Sequence, residues 1–185
     1  MSTRSDAELV EAFQRGEERA FNELALRYQE KLYWVARRFT NDHAQADDIV
    51  QESLVKAYQA LRDFRGESGV FTWLYRIVVN ASLNAIRRQR IREVLRLDEV
   101  YDEEASPEAS PHDAVEKQEE QRLIEEAIER LPEKQKAVFV LRYYDELPYE
   151  QISEILKTSV GGLKANYFHA IRKIARYVQN AHETP

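Results

Sequence analysis

The chain has 185 residues, of which 32% are charged and 43% hydrophobic, and its formal net charge is −6. The absence of cysteine excludes disulfides and thiolate metal sites and favours a reducing compartment. An apolar run long enough to cross a bilayer, a signal-peptide pattern and a metal-binding histidine spacing are all missing. We therefore expect a cytoplasmic protein with no membrane insertion, no metal and no other cofactor.

The net charge is unevenly distributed along the chain. Residues 1–96 hold 16 Lys and Arg against 14 Asp and Glu, whereas residues 119–185 hold 10 against 11. Residues 97–118 hold 1 against 8, so the excess of negative over positive charge lies in this middle segment. The overall sign therefore does not argue against nucleic-acid binding by either end.

The first 96 residues have helical periodicity. Ser5 followed by Glu8 predicts a capping box that starts a short helix ending near Gly16. Further helices are predicted at 17–39, at 43–64 after an Asn-Asp cap, and at 70–92 or beyond, with a glycine-containing loop at 65–69.

The middle segment, 97–118 (LDEVYDEEASPEASPHDAVEKQ), has few large apolar residues and two Ser-Pro pairs. It predicts a flexible acidic linker, because it cannot bury enough surface to offset the entropy of ordering. Helices are predicted beyond it at 119–130, 133–144, 148–156 and 160–180. The expected fold class is all-α, with two small helical domains, 1–96 and 119–185, joined by this linker.

The last two predicted helices have the proportions of a helix-turn-helix. Ile152, Ile155 and Val160 are expected to form its small core. The buried side of the second helix is predicted to be Leu163, Tyr167, Ala170, Ile171, Ile174 and Val178. The opposite side is small at its start and basic further along, which suits a helix N-terminus that approaches phosphate. An ordinary solvated basic face is the alternative.

The run 131–174 resembles the promoter −35-binding region of bacterial sigma factors of the extracytoplasmic-function (ECF) type. It departs from the family pattern at Lys157, where glycine is usual, at Gly162, usually Thr or Ala, and at Asn166, usually Arg. The resemblance implies that duplex −35 DNA is bound by Ser159, Val160, Gly161, Gly162, Lys164, Ala165, Asn166, Phe168, His169, Arg172 and Lys173.

The segment ADDIVQESLVKAYQAL, 46–61, resembles the part of these sigma factors that binds core RNA polymerase. Asp47, Asp48, Gln51 and Glu52 cluster on one face of its predicted helix, and residues 48 and 52 form a like-charged pair that disfavours an isolated helix. The resemblance identifies the partner as the clamp-helices coiled coil of the β′ subunit. A solvated acidic face is the alternative.

The segment 64–92 resembles the family's −10 reading and melting segment. A stripe of aromatic, amide and guanidinium side chains recurs on one face, which suits stacking and hydrogen bonding with single-stranded DNA. The loop 65–69 would receive an unstacked base. The candidate −10 residues are Phe64, Arg65, Phe71, Trp73, Arg76, Asn80, Asn84, Arg87 and Arg88. For Trp73 alone, a position in the hydrophobic core is the alternative.

Two classes of function account for these patterns. A sigma factor brings core RNA polymerase, through the β′ clamp helices and the β flap, to promoters read as duplex at −35 and single strand at −10. An anti-sigma factor is a common further partner in the family. The alternative is a stand-alone helix-turn-helix regulator, which gives the acidic face and the Trp73 stripe no role. Without a nucleophile–base pairing, a phosphate-binding loop or paired carboxylates, an enzyme is not expected.

Overall fold

The computed structural model describes residues 4–96 and 112–183, and every regular element in these two ranges is helical. The first lobe, residues 4–96, contains α1 (Asp6–Gln14), α2 (Glu18–Thr40), α3 (His43–Leu61) and α4 (Val70–Arg96). The second lobe, residues 112–183, contains α5 (His112–Glu129), α6 (Glu133–Phe139), a π-helical segment (Val140–Tyr144), α7 (Tyr149–Leu156) and α8 (Val160–Glu183). The expected all-α fold with two helical lobes is confirmed for the described residues.

Two predicted helix starts are confirmed in atomic detail. Ser5 Oγ accepts a hydrogen bond from the Glu8 amide at 3.3 Å, and the Glu8 carboxylate accepts one from the Ser5 amide at 2.6 Å. The carboxylate of Asp42 accepts a hydrogen bond from the Gln45 amide at 2.7 Å and so caps α3. Side chains at these N-caps satisfy amides that have no partner within the helix.

The third helix is shorter than the periodicity predicts, because it ends at Leu61 rather than at Phe64. The Gln14 side-chain amide, at the end of α1, donates to the carbonyl oxygens of Leu61 and Phe64 at 3.2 Å and 2.9 Å. These tertiary hydrogen bonds supply partners for carbonyl oxygens at the end of α3, where the regular helical hydrogen bonds stop.

The predicted linker is also shorter than expected, because α5 begins at His112 instead of 119. The residues HDAVEKQ in between include several strong helix formers, which explains why the helix extends into the acidic segment. The rest of the predicted linker, 97–111, lies outside the described residues. Pro132 and Pro148 occupy the N-cap positions of α6 and α7.

Each lobe has a helical core of its own. In the first lobe α2, α3 and α4 pack against one another, and α1 covers one side of α2. Fully buried side chains such as Leu32, Phe39, Leu61 and Val78 fill the space between these helices. In the second lobe α8 packs against α5, α6 and α7, with Leu131, Ile152 and Leu163 fully buried there.

The two lobes also pack against each other, which the sequence did not predict. α4 contacts α6 and α7, and α2 contacts the π-helical segment. One contiguous cluster of buried apolar side chains runs from Leu9 in α1 to Leu163 in α8. The carboxylate of Asp145, which follows the π-helical segment, forms an ion pair with Arg38 of α2.

Candidate functional site

The predicted polymerase-binding residues lie on the exposed face of α3. Asp47, Asp48, Gln51 and Glu52, together called the acidic patch, are all exposed, while the opposite face of α3 is buried. The ammonium of Lys56 donates to Glu52 at 2.6 Å, and this hydrogen bond lowers the pKa of Glu52 below its ordinary value. Lys56 therefore offsets part of the repulsion between Asp48 and Glu52.

A groove of about 590 Å³ lies between α3 and α4, next to the acidic patch. Asp48 and Glu52 line one wall, and Arg88 and Ile91 line the other. The positive charge of Arg88 contributes to the low pKa of Glu52. The structure thus places Arg88, which was predicted among the −10 residues, beside the acidic patch.

Among the other predicted −10 residues, the aromatic side chains of Phe64, Phe71 and Trp73 are half-buried and pack against the hydrophobic core, whereas Arg65, Asn80, Asn84 and Arg87 are exposed. Trp73, Arg76, Asn80, Asn84 and Arg87, together called the α4 stripe, are half-buried at the first two positions and exposed at the last three. The ring of Trp73 lies 5.0 Å from the half-buried ring of Phe64, and Arg65 is exposed in the adjoining loop.

Phe71 lies apart from the α4 stripe. Its ring centroid is 4.1 Å from that of Tyr75, which is buried, and 6.2 Å from that of Tyr28 in α2. The contacts of Phe71 are therefore those of a residue packed against the first-lobe core.

Two arginines of the α4 stripe already have partners in the second lobe. Arg76 donates to the backbone carbonyl of Glu154 at 3.0 Å, and Arg87 donates to the carboxylate of Glu133 at 2.7 Å. One turn further on, Arg90 donates to the backbone carbonyl of Leu131 at 3.0 Å. Sequence reasoning missed these pairings, because no local pattern relates α4 to α6 and α7.

The outer face of α8 is exposed along its length, as predicted. The exposed candidate −35 residues are Ser159, Gly161, Lys164, Ala165, Phe168, His169, Arg172 and Lys173. Val160 and Gly162 are half-buried where the helix meets the turn. The guanidinium of Arg172 lies 5.6 Å from the centre of the Phe168 ring, which holds both side chains on this face.

Two side chains of α8 differ from their predicted placement. Asn166 is half-buried, and its side-chain amide donates to the Gly162 carbonyl at 2.8 Å. Ile171 was predicted on the buried side, but 43% of it is exposed, so that prediction is wrong. The face of α8 that packs on the core consists of Leu163, Tyr167, Ala170 and Ile174. Ile171 directly follows Ala170, so its side chain lies about 100° further around the helix, away from this face.

The adjacent glycines at the start of α8 have different surroundings. A Cβ atom at Gly161 would meet no other atom within 4 Å. One at Gly162 would lie 3.3 Å from Ser159 Oγ and 3.4 Å from Thr158 Cγ2. Gly161 therefore leaves an open surface, whereas Gly162 fits closely against the turn of the helix-turn-helix.

The described residues contain no group of three His, Cys, Asp or Glu side chains arranged to hold a metal ion. None of the helices in the described ranges combines the length and the apolar character needed to span a bilayer.

Comparison with known proteins defines the class of the chain. The family model for sigma-70 region 2 matches residues 24–92, and the model for sigma-70 region 4 matches residues 121–174. The RNA polymerase sigma-H factor of Pseudomonas aeruginosa is 34% identical, over 97% of this chain and 96% of that protein. The ECF RNA polymerase sigma-E factor of Haemophilus influenzae is 36% identical, over 95% of this chain and 96% of that protein.

Solved structures agree with this fold. CnrH in complex with the cytosolic domain of CnrY has a TM-score of 0.67 at 23% identity and covers 95% of this chain and 97% of its own. The sigma factor RpoE of Bartonella quintana, in complex with the anti-sigma factor NepR, has a TM-score of 0.64 at 23% identity, over 86% and 96% of the two chains. At these identities the likeness establishes the fold alone.

The chain therefore belongs to the sigma-70 family and is a sigma factor of the ECF type. It is a transcription initiation factor that acts with RNA polymerase, and it is not an enzyme. A stand-alone helix-turn-helix regulator was the alternative considered from the sequence. It would leave the match to sigma-70 region 2 unexplained and is set aside.

Proposed function

We propose that three surfaces divide the work of promoter recognition. The acidic patch binds the β′ clamp helices of core polymerase. The α4 stripe, with Phe64 and Arg65, binds single-stranded −10 DNA, and the outer face of α8 binds duplex −35 DNA. Residues 1–96 and 119–185 act as the two functional domains. Because these partners are cytoplasmic in bacteria, the protein acts in the cytoplasm.

The acidic patch is the observation that carries the polymerase assignment. Three carboxylates and an amide lie exposed on one helical face, and only Glu52 has a neutralising partner among the described residues, in Lys56. An arginine-rich helical partner would supply the missing positive charge and gain charge-assisted hydrogen bonds.

The DNA assignments follow from the chemistry of the other two surfaces. Trp73 and Phe64 offer aromatic faces on which unstacked bases can stack, and the asparagines offer amide hydrogen bonds to base edges. α8 presents Lys164, His169 and Arg172 beyond an open N-terminal turn, which suits phosphate and major-groove contact.

A regulatory partner is part of the proposal. The RpoE structure from Bartonella quintana contains an anti-sigma factor. We propose that an anti-sigma factor also binds the present chain.

The test is binding and transcription with purified core polymerase. The double variant Asp48→Arg, Glu52→Arg should lose core binding by at least about tenfold, because it places positive charge against a positive partner. The matched control is Glu30→Arg, Asp63→Arg, which makes the same change in net charge at two exposed sites of the first lobe. Equal binding by both variants and the parent would refute the assigned surface.

A further inference from the structure

The aromatic ring of Tyr149, the first residue of α7, contacts a cation on the neighbouring helix. The ammonium of Lys164, in the second turn of α8, lies 5.7 Å from the centre of this ring. A cation within about 6 Å of a tyrosine ring is attracted by the negative electrostatic potential of the ring face. The contact joins the two helices of the helix-turn-helix, and Lys164 is one of the exposed candidate −35 residues.

The ring of Tyr149 is itself held in place. The guanidinium of Arg142, in the π-helical segment, lies 5.3 Å from the ring centre and donates a hydrogen bond to the Leu147 carbonyl at 3.0 Å. The ring of Tyr167 in α8 lies 6.3 Å from that of Tyr149, with an angle of 79° between the ring planes. Tyr149 is half-buried and packs against the hydrophobic core. The fixed ring therefore restricts the conformations of the long, exposed side chain of Lys164.

Asn166, where the sigma-factor pattern usually has arginine, is engaged within α8. Its side-chain amide donates to the Gly162 carbonyl at 2.8 Å, and the residue is half-buried. Gly161 and Ala165 are exposed but have no polar side chain. Lys164 is therefore the exposed side chain in the first two turns of α8 that carries hydrogen-bond donors.

We propose that Tyr149 is a positioning residue for −35 recognition, because its ring holds the Lys164 ammonium where the duplex approaches the first two turns of α8. The ammonium has three donor hydrogens, so it contacts the ring and still donates to an acceptor of a base edge or to a phosphate oxygen. Asn166 remains bonded to Gly162. The inference rests on the proposed binding of −35 DNA by the outer face of α8.

The size of the effect follows from the entropy of the lysine side chain. Ordering one long, flexible side chain weakens binding by about two- to tenfold, and a side chain that is already held loses less. Tyr149→Leu should therefore weaken −35 binding by about two- to fivefold. Lys164→Ala removes the donor itself and should weaken binding by at least about fivefold. Tyr149→Phe keeps the ring and should restore the affinity of the parent.

The test measures fluorescence anisotropy of a labelled −35 duplex with the full-length chain bound to core polymerase. The duplex is taken from upstream of the start sites found by sequencing the transcripts that this holoenzyme makes. The decisive comparison is a double-mutant cycle. In the Lys164→Ala background, Tyr149→Leu should cause no further loss, because no ammonium remains to be positioned.

The matched control for this cycle is Lys173→Ala. Lys173 is also exposed on α8 but lies about 14 Å further along the helix axis than Lys164. In the Lys173→Ala background, Tyr149→Leu should keep its full effect of about two- to fivefold. A purely structural role of Tyr149 would weaken binding equally in both backgrounds. Thermal unfolding verifies that each variant remains folded.

Two further measurements identify the acceptor and test Asn166. Single base-pair changes across the duplex indicate a base acceptor if the loss in Lys164→Ala is confined to one position. A loss that is uniform across sequences, with a slope of log affinity against log salt concentration smaller by about 1, indicates a phosphate acceptor. Asn166→Ala should weaken binding less than Lys164→Ala does.

The outcomes separate the positioning by Tyr149 from the role of α8. Equal effects of Tyr149→Leu in the Lys164→Ala and Lys173→Ala backgrounds, or a loss in Tyr149→Phe as large as that in Tyr149→Leu, would overturn the positioning. A larger loss in Asn166→Ala than in Lys164→Ala would assign the contact to Asn166 instead. If Lys164→Ala and Arg172→Ala together leave −35 binding unchanged, the proposed function of the outer face of α8 is itself contradicted.

Discussion

The open turn at the start of α8 allows a direct test of close contact with −35 DNA. The added methyl of Gly161→Ala would point into open space, so the folded protein has no steric reason to resist it. Alanine is favoured over glycine inside a helix by about 0.5–1 kcal/mol. For a chain of this length, this predicts a rise in the midpoint of thermal unfolding of about 1–4 °C.

The same methyl should weaken DNA binding. It would stand between the exposed N-terminal turn of α8 and a phosphate, where helix amides donate hydrogen bonds to anions. A hydrogen bond to a charged group contributes about 1.5–3 kcal/mol, so partial loss should cost about 1 kcal/mol, or roughly fivefold in affinity. A rise in stability together with a fall in affinity cannot result from damage to the fold.

The assay needs a −35 duplex, which is identified by sequencing transcripts made by core polymerase with this chain. Binding of that duplex is then measured by fluorescence anisotropy beside thermal unfolding. Gly69→Ala, which also adds a methyl in open space but in the first lobe, is the control. Gly162→Ala should stabilise less than Gly161→Ala, because its methyl meets Ser159 and Thr158. If Gly161→Ala is stabilised and binds −35 DNA as tightly as the parent, the open turn has no role in DNA contact.

Three further predictions concern the −10 surface, a strained helix end and the lobe contact. Trp73→Ala should slow strand opening by about tenfold, followed by a fluorescent base analogue at −10, with little change in core binding, because stacking on one base contributes about 1–3 kcal/mol. Lys157 caps α7 at a φ of 52°, so Lys157→Gly should stabilise the chain by about 1 kcal/mol in thermal unfolding. Burial, opposed by Arg38, raises the pKa of Asp145 from 3.8 to about 6 in the packed lobes, so the packed arrangement binds this proton more tightly than separated lobes do and becomes more favourable as the pH falls through 6. Between about pH 7 and about pH 5 the gain is about 1.3 kcal/mol, close to tenfold in the ratio of packed to separated lobes. It is measured by energy transfer between dyes on Glu11→Cys and Gln179→Cys, at one exposed site in each lobe.

Each of these three has a contradicting result. Equal losses of strand opening and of binding to core polymerase would show that Trp73 acts as part of the hydrophobic core of the first lobe. An unchanged or lower unfolding midpoint for Lys157→Gly would show that lysine carries no strain at this helix end. For the lobe contact, Asp145→Asn should remove the pH dependence of lobe packing between about pH 5 and about pH 7. The buried ammonium of Lys136 titrates above this range, because burial lowers its pKa to about 8. A dependence that persists in this variant would contradict the assignment to Asp145.

Local rules predicted most of the helices because their determinants are close together in the chain. The capping box at Ser5 and the cap at Asp42 each depend on residues three positions apart, so the sequence contains the whole interaction. The exposure of the acidic patch likewise follows from helical periodicity. The family preference for glycine at position 157 receives a physical reason from the left-handed backbone found there.

The errors lie where distant contacts override the local pattern. At the early end of α3, the carbonyls of Leu61 and Phe64 accept hydrogen bonds from Gln14, which is 47 and 50 positions away. The contact of Arg38 with Asp145 joins positions 107 residues apart, and nothing around either residue indicates the other. The sequence predicted the α4 stripe as a face of polar and aromatic side chains. Its arginines can donate hydrogen bonds to oxygens of DNA or to oxygens of the second lobe, and the sequence pattern does not distinguish the two.

The positions of the three surfaces suggest an order of events. The acidic patch is exposed while the lobes are packed together, so core polymerase can bind α3 before the lobes separate. The groove beside the patch contains Arg88, whereas Arg87, the preceding residue of α4, contacts Glu133 of the second lobe. A partner that draws α4 toward itself therefore acts on the same helix that holds the second lobe. Because a ligand shifts a two-state equilibrium only by its difference in affinity for the two states, polymerase opens the lobes only if it binds the open form more tightly. If polymerase separates the lobes, the variant Arg38→Met, which removes the ion pair between them, should bind core polymerase at least as tightly as the parent, and weaker binding would show that polymerase prefers the packed form.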